Sequence, residues 1–124
     1  MRYRSEIIIN LPVEQVAELI NDPENLFHWM EDLLRYETLS VTTGEVGSQT
    51  KLVFKRGKNE MIMIETILLK ALPNRIDYTY DTDGVHNIVD NHFIAVTPLS
   101  TKWIAENQFR FDSCYMKILG VLMP

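Results

Sequence analysis

The chain has 124 residues, 46% of them hydrophobic and 23% charged, a balance that suits one domain built around one core. A net charge of −5 without any basic cluster argues against a nucleic-acid partner. No apolar run approaches the length of a membrane span, and Met1-Arg2-Tyr3-Arg4-Ser5-Glu6 carries no signal-peptide core, so the expected compartment is the cytoplasm. A single cysteine, Cys114, allows neither an internal disulfide nor a cysteine-based zinc cluster, and its apolar neighbours suit a structural role.

The first element alternates. Tyr3, Ser5, Ile7 and Ile9 fall on one face of a strand, and Arg2, Arg4, Glu6 and Ile8 on the other. Pro12 suits the first turn of a helix. Val13, Val16, Ala17 and Ile20 then follow the i, i+3, i+4, i+7 spacing of one buried stripe, with Glu14 and Glu18 on the wet side. Asp22-Pro23 is an N-cap followed by a first-turn proline, which starts a second short helical turn running to Trp29.

From about Leu34 the period becomes two. Thr50, Leu52 and Phe54 form a core side against Lys51, Val53 and Lys55 on a water side. Gly44 and Gly47 bracket the turn before this strand, and Arg56-Gly57-Lys58-Asn59 supplies the turn after it. Met61 to Leu69 is apolar on both faces, so its pattern leaves the register open. Leu72-Pro73-Asn74 turns the chain. Ile76, Tyr78 and Tyr80 oppose Arg75, Asp77, Thr79 and Asp81 in a half-buried strand, and Asp83-Gly84 marks a hairpin. His86 to Thr97 forms a strand, and Thr101 to Asp112 the last one. There Trp103, Ala105, Asn107, Phe109 and Phe111 share a face. Without internal repeats or linkers, residues 1–124 read as a single α+β domain: a curved antiparallel sheet of about seven strands with two short N-terminal helices.

Ile9-Asn10-Leu11-Pro12-Val13-Glu14-Gln15-Val16, followed by Asp22-Pro23-Glu24-Asn25-Leu26 and Trp29, resembles the opening of the SRPBCC superfamily. That group joins START lipid-transfer domains, plant pollen-allergen-like proteins and bacterial polyketide cyclase/dehydrase-type proteins. The Gly44…Gly47 turn, the Pro73 turn, Thr101 and the Phe109/Phe111 pair are similar to the bacterial members. The resemblance implies a helix-grip fold, in which the sheet grips a long C-terminal helix over an apolar cavity. Tyr115 to Pro124 only begins such a helix, so an incomplete C-terminal helix is expected. An uncovered sheet face would then favour a homodimer.

On this reading Trp29, Phe54, Tyr78, Tyr80, Trp103, Phe109 and Phe111 wall a pocket, or fill a core. Asn107, set between Ala105 and Phe109, either orients a ligand carbonyl or hydroxyl or bonds neighbouring backbone. The expected ligand is small and hydrophobic or amphipathic, lipid-, polyketide- or quinone-like, with no cofactor. A polyketide cyclase/dehydratase-type enzyme is the alternative. Its acid or base would be a cavity tyrosine or Glu65, whose pKa would rise if its strand turned it inward. His86, Asp90 and His92 share a strand face, but spread along it by roughly 20 Å they suit a solvated convex side better than a metal site. His28 reads as a surface residue. No Ser-His-Asp order, HExxH, phosphate loop or nucleotide fingerprint is present.

Overall fold

The structure is a computed structural model that describes residues 1–40 and 44–111. The expected C-terminal helix, with Cys114 and Tyr115 to Pro124, lies outside the described residues.

The elements run β1 (Arg2–Ile9), α1 (Val13–Asn21), a 3-10 turn (Pro23–Asn25), α2 (Leu26–Trp29), then β2 (Leu33–Thr38), β3 (Gln49–Arg56), β4 (Asn59–Ala71), β5 (Arg75–Thr82), β6 (Val85–Thr97) and β7 (Ser100–Phe111). All seven strands form one antiparallel sheet of order β1-β7-β6-β5-β4-β3-β2. The neighbours from β2 to β7 are successive hairpins. Only β1 crosses, from before the helices to the far side of the last strand, which leaves α1 and α2 against the sheet's inner face.

Pro12 is the N-cap of α1 rather than its first helical residue. Its extended ψ of 148° sets the entry to the helix, and its carbonyl accepts from the Gln15 and Val16 amides at 3.0 and 3.1 Å. The predicted stripe packs as the pattern requires. Val13 and Val16 join Ile67, Ile76 and Phe93 in the core, and Ile20 packs against it. Each such apolar side chain removed from water contributes roughly 1.5–3 kcal/mol. Thr101 is fully buried, and its hydroxyl donates to the Leu11 carbonyl at 2.9 Å, tying the loop before α1 to the start of β7. Asp22 caps the 3-10 turn as expected, its Oδ1 accepting from the Glu24 amide at 3.0 Å.

Three strands contain bulges, which the period-two reading does not anticipate. In β4, Ile67 pairs with Tyr78 and Leu69 with Asp77, so Leu68 is the extra residue. The consequence is a change of face. Met63, Glu65 and Ile67 point to the inner side, and beyond the bulge Lys70 does so in place of Leu69. Val53 corrects the water-side assignment, because it is buried almost completely. The reason is convex-side cover: Arg35 of β2 stands beside Val53 in register, and its guanidinium bonds Glu60 of β4 through two contacts of 3.0 and 2.8 Å that cross β3.

The candidate site in the concave face

Cross-strand pairing places the inner side chains in rows. One row runs Ile67, Tyr78, Val89, Asn107, Tyr3 from β4 to β1. A second runs Thr50, Glu65, Tyr80, Asn87, Phe109 from β3 to β7. A third runs Lys70, Ile76, Asn91, Ala105, Ser5. The members of these rows from β5, β6, β7 and β1, apart from Phe109 and Ser5, form the floor of a cavity of about 550 Å³, with Leu26, Trp29 and Met30 from the α2 region on its wall. That volume lies within the range of small-molecule sites.

Six of the eight residues expected at a pocket line this cavity: Trp29, Phe54, Tyr78, Tyr80, Trp103 and Asn107. Phe109 does not. It lies in the same inner row but stacks on Tyr3 at 5.7 Å, toward the β1 edge. Phe111 lies farther along β7, beside a separate hollow near the Asp83–Gly84 hairpin. His28 is exposed, as expected.

A second, more polar hollow of about 370 Å³ adjoins the first. Ile20, Leu26, Ile76 and Tyr78 line both. Its polar wall includes Tyr36, Ser48, Thr50, Glu65 and Lys70. Lys70 Nζ donates to the Asn21 Oδ1 at 2.8 Å and to the Gly44 carbonyl at 2.6 Å, which ties β4 to the end of α1.

Glu65 is the group whose placement changes the chemistry. It faces inward, is 9% exposed, and pairs across strands with Tyr80, whose hydroxyl donates to its carboxylate. Burial disfavours the charged carboxylate and raises its pKa from 4.5 to about 7, against a smaller opposing effect of the Tyr80 hydrogen bond. The same burial, reinforced by the nearby carboxylate, drives the Tyr80 and Tyr78 phenols well up. The two rings lie 5.8 Å apart. Glu65 lines the polar hollow while Tyr80 lines the main cavity, so a donor–acceptor pair connects the two spaces.

Two further amides belong to the site and were not among the expected residues. Asn87 and Asn91 flank Val89 on the inner face of β6. Asn87 Nδ2 donates to the Gln108 carbonyl at 3.3 Å and lies 3.4 Å from Asn107 Oδ1. The indole N–H of Trp103 donates to Asn91 Oδ1 at 2.9 Å. The signal for them was present: placing His86, Asp90 and His92 outside puts Asn87, Val89, Asn91 and Phe93 inside by alternation.

On the convex side, His86 Nδ1 is paired with Asp81. Asp77 is buried and holds Arg75 through three contacts of 2.8 to 3.2 Å. Burial first, and then the neighbouring Asp77, raise the Asp90 pKa. Among the described residues no group of three His, Cys, Asp or Glu side chains is placed to hold a metal ion.

No family model and no curated protein matches the sequence. Solved structures match its fold. The Zhui aromatase/cyclase from Streptomyces sp. R1128 superposes with a TM-score of 0.74 at 14% identity, covering 91% of this chain and 69% of its own. Ara h 8.0201 gives 0.75 at 12% identity, with 96% and 87% covered. Norcoclaurine synthase from Thalictrum flavum gives 0.70 at 14%, with 100% and 77% covered. The chain therefore has the START-like helix-grip fold: a curved seven-stranded antiparallel sheet with two short helices on its inner side. Among its described residues no helix is long and apolar enough to cross a membrane.

Proposed function

We propose that the protein binds a small, largely apolar molecule in the concave face of its sheet. One observation carries this reading: a cavity of about 550 Å³ whose wall is mostly aromatic and aliphatic but includes three amides and three phenols. Such a wall supplies burial for a hydrophobic skeleton and a few fixed polar contacts for orientation. Fold neighbours support the reading by their kind, because norcoclaurine synthase has been solved in complex with dopamine and hydroxybenzaldehyde, both small aromatics.

Titration with 1-anilinonaphthalene-8-sulfonate tests it. The dye brightens on entering the cavity and is displaced by a fatty acid or an aromatic polyketide. Ala105 lines the cavity on the inner face of β7, so Ala105→Trp fills space and weakens dye binding by about tenfold, or about 1.4 kcal/mol. A dye that ignores the wild type, or binds the filled variant equally well, overturns the reading.

The Glu65–Tyr80 pair favours a second reading, an enzyme of the cyclase or dehydratase type. A carboxyl with a pKa of about 7 is poised to exchange a proton near neutral pH, and Tyr80 carries its hydrogen bond to the main cavity. If a reaction occurs there, Glu65→Gln abolishes turnover and leaves ligand affinity largely intact. Turnover that survives Glu65→Gln excludes this pair as the acid or base.

A further inference from the structure

Asn91 is 5% exposed, and yet only half of its amide is used within the described residues. Its orientation is fixed by chemistry. An indole nitrogen can only donate, so the amide oxygen must face Trp103 and the amino group must point the other way. The amino group has no protein partner among the described residues, and no fully enclosed polar side-chain atom there lacks one. It therefore opens onto the cavity that Asn91 lines. Trp103 is held in turn by its ring contact with Phe93, the most deeply buried aromatic side chain, at 5.7 Å. Flipping the amide would set its N–H against the indole N–H, so the cavity is presented with a donor of fixed position. Asn107 stands beside it across the β6–β7 ladder, its oxygen facing the Asn87 amino group at 3.4 Å and its own amino group without a partner among the described residues.

We infer that Asn91 is a specificity-determining residue, and that its amino group selects ligands bearing a carbonyl oxygen over hydrocarbons of the same shape. The inference rests on the ligand-binding reading and adds the ligand's chemical class. A carbonyl oxygen accepts without needing a donor of its own, which matches a wall that offers N–H groups. A ligand without an acceptor leaves a nine-tenths-buried amide stripped of water and unpaired, and this asymmetry makes such a site selective.

Fluorene and 9-fluorenone are the probes, because they share a tricyclic skeleton and differ by the carbonyl. Each is titrated against the bound naphthalene sulfonate dye. The wild type binds fluorenone about tenfold more tightly than fluorene, the worth of one hydrogen bond formed in a dry site. The carbonyl stretch of bound fluorenone moves to lower frequency, as hydrogen bonding requires. In Asn91→Leu the two probes bind alike, and the carbonyl band returns to its position in an apolar solvent. If Asn91→Leu fails to fold, because it orphans the Trp103 indole N–H, the double variant Asn91→Leu/Trp103→Phe removes both partners and carries the same comparison. Equal wild-type affinities with an unshifted band overturn the role of Asn91 and leave the cavity reading standing. A preference that survives both variants also overturns it. A wild type that binds neither probe sinks the ligand-binding reading itself.

Discussion

Replacing Glu65 by glutamine should make the protein more stable at alkaline pH, and the size of the effect follows from the site. The carboxyl's pKa lies near 4.5 in the unfolded chain and near 7 in the folded one. Between those values the folded state holds more protons than the unfolded state, so stability falls as pH rises through the window. Below pH 4.5 the group is neutral in both states and contributes no difference. Above pH 7 the folded protein carries a buried carboxylate at the full cost of the shift. At 1.36 kcal/mol per pKa unit this amounts to about 3 kcal/mol. Glutamine has similar shape, keeps an acceptor for the Tyr80 hydroxyl and never ionises. The assay is urea unfolding of both proteins from pH 4.5 to 8.5, read as the difference between them, so that other titrating groups such as Asp90 cancel. The variant should gain about 3 kcal/mol on the wild type across that range, nearly all of it between pH 4.5 and 7. A difference that stays flat with pH, or grows as pH falls, would refute the placement of Glu65 inside the sheet.

Tyr80→Phe removes the hydrogen bond that favours the Glu65 carboxylate, so the Glu65 pKa should rise further. A side-chain carboxyl carbon titration followed by NMR shows this, and a fall instead would mean that the phenol does not donate to Glu65. Phe93→Ala removes a ring only 1% exposed that packs with Val13, Val16, Ile67 and Ile76. It should cost about 3–5 kcal/mol of stability by chemical unfolding, and a loss below about 1 kcal/mol would refute its part in this packed cluster.

Much of this architecture is written locally. Where one face of a strand meets water and the other meets the core, as in β5 and β7, alternation fixes which side chains point inward. Tyr78, Tyr80, Trp103 and Asn107 were therefore placed on the cavity side from the pattern alone, and Trp29 and Phe54 also reach the cavity. The Asp22 cap and the Asp83–Gly84 hairpin are likewise decided by short-range chemistry, a carboxylate beside free amides and a glycine at φ 72°. Tertiary structure decided the rest, at positions where local pattern leaves the inward face open. β4 is apolar on both faces, so only its pairing with Tyr80 turns Glu65 inward, and only the bulge at Leu68 brings Lys70 to the same side. β6 mixes polar and apolar residues on both faces, so alternation groups Asn87 with Asn91 opposite His86, Asp90 and His92, and the position of β6 between β5 and β7 sets that group against the cavity. Alternation states which residues share a face; which face becomes the inside is set by the strands and helices that close over it, and at Glu65 and Asn91 that closure turns ordinary polar residues into the chemistry of the site.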